Sequence, residues 1–388
     1  MRHFFLPFTH PQVSQWAAPA RWLQRLTFLW LLAGLLVLYS ASFAVQDANG
    51  DGFYIIKRQL VWAAASLALY HGVIRCPLKT LLRFAAFGLL ACLGLLLTTL
   101  LAGTEVNEAS RWIALGPLLI QPSELVKPFL VLQGARLFGR WPRLSWGTRG
   151  LWLGIFLLVI GAILKQPNLS MAALTGISLW LMAMAGGLPG VYLGGSAVVG
   201  AAAGVISISL REYQRLRVIS FLDPWADPLG NGYQLTQSLM AVGSGGILGS
   251  GFGLSHQKLF YLPIQDTDFI FAVFAEEWGL VGGLLFLTLL AAYCALGIQV
   301  AQRLQDPVQR LVATGATVFL IGQSLLNIGV VTGALPTTGL PLPFFSYGGN
   351  SLLVSLVLAG FLVRAAREAY QGVVIPLRQP SQDSRPTG

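Results

Sequence analysis

"DFIFAVFAEEWGLVGGLLFLTLLAAYCALGI" (268–298) is a long apolar run with a carboxylate at its mouth and two more, Glu276 and Glu277, inside it. A helix needs about 20 mostly apolar residues to cross a bilayer. The chain of 388 residues is 55% hydrophobic and 10% charged, with a mean hydropathy of +0.68. That exceeds what one soluble core can hide. Working outward from 268–298, comparable runs fall at 26–45, 60–75, 84–102, 122–139, 151–165, 169–186, 188–209, 311–334 and 348–367. Together they predict an all-α integral membrane protein of about ten transmembrane helices, with a large outer loop between spans 7 and 8.

Lys and Arg collect on the cytoplasmic side of short loops. With the N-terminus inside, the outer segments hold only Lys57, Arg58, Arg111, Lys165, Arg211, Arg215, Arg217 and Lys258, whereas most of the 25 basic residues fall on inner segments. Both termini are therefore expected in the cytoplasm, and residue 268 opens on the outer face. The expected organisation is a cytoplasmic N-terminal segment (1–25), a membrane domain (26–367) containing the outer loop 210–267, and a disordered cytoplasmic tail (368–388). The net charge of +10 reflects this topology and contact with anionic lipid. No basic stripe with interleaved aromatics points to nucleic acid. The first 25 residues are too polar for a cleavable signal peptide. Cys76, Cys92 and Cys294 lie in or beside spans, which suits neither a disulfide framework nor a metal cluster. His3, His10, His71 and His256 are scattered, so histidine catalysis has no constellation to rest on.

Two outer connections stand out. Segment 210–267 is far longer than a usual helix connection and carries Tyr213, Phe221, Trp225, Tyr233, Phe252, Phe260 and Tyr261, an aromatic load suited to burial or to the interface. "ALPTTGLPLPFFSYGGNS" (334–351) packs three prolines and three glycines between two apolar helices. Such backbone is tolerated at membrane depth only where protein covers it or it lines a cavity. Its Thr337, Thr338 and Ser346 hydroxyls suit a sugar or phosphate ligand, or a turn and a helix cap.

In "IQPSELVKPFLVL" (120–132), Pro122 suits a first helical position, Glu124 the first turn, and Lys127 lies at i+3 on the same face. Either the pair neutralises itself on entering the membrane, or Lys127 stays partly free for an anionic substrate. Asp266 or Thr267 is a natural N-cap for a helix whose first turn holds Asp268, and Asp268 at the outer surface suits a general base. Glu276 and Glu277 point to different faces; pairing with Lys127 or Arg217 competes with catalysis as their role. The run "GSGGILGSGFG" (243–253) either presents N–H groups to a phosphate or allows close packing.

These strings together resemble the SEDS family (shape, elongation, division and sporulation), which includes the FtsW and RodA branches. The resemblance is carried by "YSAS" (39–42), "SRWIALGPLLIQPSELVK" (110–127), "KQPNLSMAAL" (165–174), "RVISFLDPWADPLGNGYQLTQSLMAVGSGG" (217–246), "QKLFYLPIQDTDFIFAVFAEEWGLVG" (257–282) and "LPTTGLPLPFFSYGGNS" (335–351). "QKLFYLP" and "SRWIALGPLLIQPSEL" look more like the FtsW branch. The resemblance implies ten spans in the bacterial cytoplasmic membrane and a peptidoglycan glycosyltransferase that polymerises lipid II, releasing undecaprenyl pyrophosphate. The family's catalytic aspartate, in its "HTDF" motif, matches Asp268. Lys127 and Arg217 match basic positions expected to contact pyrophosphate, with Arg111 next and Glu124, Thr338 and Ser346 as further substrate contacts. A divalent cation, Mg or Mn, is a candidate to share that role, although no metal-ligand spacing calls for one. Expected partners are a class B penicillin-binding protein (a transpeptidase) and division proteins.

Departures from the family pattern are Ile264 and Asp266, where a Glu and a His are usual, Asn168 and Ser170 in place of Asp and Gly, and Asn350 in place of Ser. Asp266 is expected to raise the pKa of Asp268 by like-charge repulsion. Competing readings are a lipid II flippase, an elongation-type RodA polymerase, and a scaffold that recruits a transpeptidase.

Overall fold

The structure is a computed structural model, and it describes residues 16–48, 53–106, 109–116, 118–259 and 261–371. Each expected apolar run is a helix: α1 (Ala18–Ala48), α2 (Tyr54–Arg75) followed by the short α3 (Leu78–Arg83), α4 (Ala85–Ala102), α5 (Pro122–Gly139), α6 (Trp146–Lys165), α7 (Leu169–Ala185), α8 (Gly190–Leu210), α11 (Ile270–Arg303), α12 (Pro307–Val331) and α13 (Gly349–Gln371). The intervening α9 (Glu212–Leu222) and α10 (Tyr233–Ser244) lie within the outer loop. By length and hydropathy alone, α1, α6, α8, α11, α12 and α13 suffice to cross a membrane, and α4 and α7 are apolar but shorter. Charges dilute α2 (Lys57, Arg58, Arg75) and α5 (Glu124, Lys127, Arg136).

Several boundaries differ from the sequence reading. The first helix begins at Ala18, inside the segment assigned to 1–25, and the last runs past residue 367 to Gln371. Residues 1–15 and 372–388, which hold most of the expected cytoplasmic ends, lie outside the described residues. Loop 210–267 contains α9 and α10, with Tyr213, Trp225, Phe252 and Tyr261 exposed along its rim, as interfacial aromatics are; Phe260 lies outside the described residues. A small antiparallel sheet, β1 (Thr104–Val106), β2 (Ala109–Leu115) and β3 (Leu118–Ile120), joins α4 to α5 and was not foreseen by an all-α reading. Its second hairpin pairs Ile113 with Ile120, and β2 carries Arg111.

α13 packs along α2, and α12 lies against α5, α7, α11 and α13. The Pro-rich loop before α13 plugs this bundle: Leu340, Leu342, Phe344 and Phe345 are buried. Phe345 stands 4.7 Å from Phe286, and Phe344 meets Trp30 edge-on at 4.9 Å. Gly34 of α1 lets the Phe344 carbonyl approach where a Cβ would collide with it. Protein therefore covers the second half of this irregular loop, as irregular backbone inside a membrane protein requires.

α11 breaks at Gly279, whose φ of 62° and ψ of −163° only glycine adopts freely. The glycine run crosses it there, and the two segments exchange helical hydrogen bonds. Leu280 and Val281 donate N–H to the carbonyls of Gly246 and Ile247, while Ser250 and Gly251 donate to those of Glu276 and Glu277. Each donor lies four residues past the acceptor it would use in an unbroken helix, so the swap leaves no group orphaned. A Cβ on Gly279 would strike Gly249 N, and one on Gly249 the Glu277 carbonyl. Of the two readings of this run, close packing is the one the structure bears out, because the Ser250 and Gly251 N–H groups are already engaged.

Candidate active site

Asp268 lies on the turn just before α11, at the end of the bundle where α5 and α13 begin and α12 ends. The helix starts at Ile270 with no side-chain cap, so neither Asp266 nor Thr267 caps it and Asp268 is not in its first turn. The turn is held instead by the Pro-rich loop. Ser346 Oγ donates to the Thr267 carbonyl (2.5 Å) and accepts from Leu342 N–H (2.7 Å). Tyr347 N–H donates to the Asp266 carbonyl (2.8 Å). Asn327 Nδ2, from α12, donates to the carbonyls of both Asp268 (2.7 Å) and Leu340 (2.9 Å). Gln59 of α2 braces the same loop through the Ser346 carbonyl (3.4 Å) and Gly348 N–H (3.3 Å).

The Asp268 carboxylate abuts Gly339, where a Cβ would lie 3.4 Å from Oδ2. Burial pushes its pKa up to about 6; Arg217 and Arg111 oppose the shift and Asp266 adds to it. The expected repulsion from Asp266 is therefore present but secondary to desolvation. Burial likewise raises Asp266.

Two guanidinium groups stand within electrostatic reach of this carboxylate. Arg217, on α9, donates to the Thr337 carbonyl (3.3 Å) and lies 4.4 Å over the Tyr213 ring. Arg111, on β2, donates from Nε to the Gln166 carbonyl (2.9 Å) and from Nη2 to that of Pro167 (2.7 Å). Burial and the like charge of Arg217 lower the Arg111 pKa, while Asp268 raises it. Thr338 is half-buried between Thr337 and Gly339. Asp268, Arg217, Arg111 and Thr338 thus converge on one end of the molecule.

Other expected contacts are engaged elsewhere. Lys127 is 1% exposed, and its Nζ donates to Glu124 Oε1 and Gln323 Oε1, both at 2.7 Å. The neutralising pair is what the structure contains, with Gln323 as a third member. The Ser346 hydroxyl spends itself on the two loops it joins. Glu277 pairs with Lys258 (2.9 Å) and Ser40 (2.5 Å), not with Lys127 or Arg217. Glu276 accepts from Ser255 Oγ (2.5 Å) and the N–H groups of His256 (2.9 Å) and Gln257 (3.3 Å).

Two of the departures have local roles. Asn168 Oδ1 caps α7 by accepting from Met171 N–H (3.2 Å), a task Asp would also do. Asn350 Nδ2 donates to the Leu119 carbonyl (2.8 Å), tying α13 to β3. Ile264 has φ 57°, a strained setting for a β-branched residue just before the site. Sequence reasoning missed Gln323, Asn327, Gln59, Ser40 and Lys258. The spacing of Gln323 and Asn327 in "QSLLN" (323–327), two amides on one face of an apolar helix, was the available signal.

Residues 20–371 match the family model FTSW_RODA_SPOVE, described as "Cell cycle protein". A Synechocystis sp. protein named "Probable peptidoglycan glycosyltransferase FtsW" is 56% identical over 373 residues, 96% of this chain and 95% of its own. Among solved structures, a chain of a peptidoglycan synthase complex described as coordinating polymerization and crosslinking superposes with a TM-score of 0.73 at 31% identity, covering 90% of this chain and 98% of its own. Thermus thermophilus RodA superposes at 0.69 with 28% identity, covering 93% and 100%.

Proposed function

Because this chain belongs to the FTSW_RODA_SPOVE cell cycle protein family, on its FtsW branch, we propose that it is a peptidoglycan glycosyltransferase joining lipid II disaccharides into glycan strands for septal synthesis. The observation that carries this reading is the half-buried Asp268 flanked by Arg217 and Arg111 at one end of the bundle. In the reaction, a sugar hydroxyl of one lipid II attacks the anomeric carbon of the growing chain. Asp268 takes the hydroxyl proton, the bond to pyrophosphate breaks, and undecaprenyl pyrophosphate leaves with the electron pair. A raised pKa suits a base that must accept a proton near neutrality. Arg217 and Arg111 are placed to steady the charge that develops on the pyrophosphate, and Thr338 to contact a sugar or phosphate. Lys127 and Glu124 lie behind this surface as a buried pair.

Among the described residues no group of three or more His, Cys, Asp or Glu could hold a metal ion. A Mg or Mn ion, if it enters with the substrate, would have Asp266 as the protein residue to hold it and would neutralise charge on the leaving group. The topology proposed is ten spans in the bacterial cytoplasmic membrane with both termini in the cytoplasm, the Asp268 end facing outward. A class B penicillin-binding protein is the proposed partner, together with division proteins.

A flippase would offer headgroup ligands to both faces in turn. Here Asp268, Arg217, Arg111 and Thr338 gather at one end, while protein closes the break at Gly279 and buries Leu340, Leu342, Phe344 and Phe345 of the Pro-rich loop. The test is polymerisation of labelled lipid II by the purified protein, alone and with its transpeptidase, comparing wild type with Asp268→Asn. Polymer from wild type alone is expected. Equal polymer from both removes Asp268 as the base, and none from either, with partner and divalent cation present, moves the flippase reading to first place.

A further inference from the structure

α12 carries two amides, Gln323 and Asn327, one turn apart on the same face and respectively 3% and 1% exposed. Both aim their N–H groups at main-chain carbonyls of the Pro-rich loop, whose irregular backbone has no helix or strand to satisfy it. Gln323 Nε2 donates to the Pro341 carbonyl (2.7 Å), and Asn327 Nδ2 to its neighbour Leu340 (2.9 Å) and to Asp268 itself (2.7 Å). The chemistry of the partners settles the orientation of both amides. Lys127 only donates, so it must face Gln323 Oε1, which turns Nε2 to the loop; two carbonyls can share only the nitrogen of Asn327. A connected path thus runs from Glu124 through Lys127 and Gln323 to Pro341, and from Leu340 through Asn327 to the backbone of Asp268.

We propose that Asn327 and Gln323 are positioning residues of the transfer site: together they set the height and direction of Asp268 against the loop that faces it. Lys127 belongs to the same device. By occupying Gln323 Oε1 it fixes that amide's direction, and it serves geometry instead of touching lipid II. The inference rests on the reading of Asp268 as the base.

Three variants test it in the polymerisation assay, with Asp268→Asn alongside. Asn327→Leu keeps the shape and removes both donors. Gln323→Glu keeps an acceptor for Lys127 but turns an oxygen toward the Pro341 carbonyl. Lys127→Gln still donates to residue 323. Misplacing a catalytic group costs rate and leaves substrate affinity, so kcat should fall about tenfold to a hundredfold in the Asn327 and Gln323 variants, with KM for lipid II within about twofold, whereas Lys127→Gln, which still orients residue 323, should leave both within about twofold. Melting temperatures establish that the compared proteins are folded, and Asn327→Ser, with a donor too short to reach Asp268, replaces Asn327→Leu if the latter does not fold. Folded Asn327 and Gln323 variants with wild-type kcat overturn the proposal, as does a loss confined to KM. A tenfold rise in KM for Lys127→Gln makes Lys127 a substrate contact and overturns its part. If Asp268→Asn itself polymerises normally, the reading of the base fails, and that failure is distinct from failure of the positioning pair.

Discussion

Asp268 titrates far from an ordinary aspartate, and that displacement ties its chemistry to its stability. Burial raises its pKa from 3.8 to about 6, with Arg217 the first opposing charge. Only the ionised form accepts a proton, so polymerisation should fall to half on the acid side near pH 6, well above the midpoint an exposed carboxyl would give. Arg217→Gln removes the opposing charge and should move this limb to higher pH. The stability effect has a defined sign. A folded-state pKa above the unfolded one means the folded protein holds the proton more tightly. Stability is then lost as pH rises from 3.8 to about 6, and the loss persists above that window. At 1.36 kcal/mol per unit, the shift corresponds to roughly 3 kcal/mol, an upper bound because part of the carboxyl meets solvent. Asp268→Asn keeps the shape and removes the charge. It should abolish polymerisation and raise the melting temperature at about pH 7.5, with the gain shrinking as pH falls through the carboxyl range. Polymer yield followed from about pH 5 to 8, together with thermal melting of both proteins, checks both effects. A profile flat through about pH 6, or a variant no more stable than wild type at about pH 7.5, would refute the reasoning.

Gly279→Ala should destabilise by at least about 1–3 kcal/mol, because alanine does not tolerate that backbone and its Cβ meets Gly249 N. Gly283→Ala, on the same helix in open space, should melt at or slightly above wild type. Lys258→Met leaves Glu277 buried without its cation and should cost about 3–5 kcal/mol, while Lys258→Met with Glu277→Met should recover most of the loss. Denaturation of the purified proteins reads both sets, and a double variant as unstable as the single one would show that the pair is not coupled.

The sequence by itself determined the helices, because apolar runs of spanning length have no other low-energy state in a bilayer. Pro122 marked where a helix starts, and the motif strings marked the family and Asp268. Contacts between residues distant in the chain decided the rest. Nothing local in "GSGGILGSGFG" reveals that it trades hydrogen bonds with the break at Gly279, since each segment taken alone is a helix with missing partners. The sequence does not say which partners the carboxylates of Asp266, Asp268, Glu276 and Glu277 find. Tertiary structure separated them: Glu277 found Lys258, Glu276 found the turn at 255–257, and Asp268, with Asp266 beside it, was left facing Arg217 and Arg111. Lys127 shows the same limit, because whether a lysine one turn from a glutamate is free depends on Gln323, which lies on α12 and far along the chain. Covalent order specifies which segments can be helices. Which charges meet, and hence which carboxylate stays available for chemistry, follows only from how the helices pack.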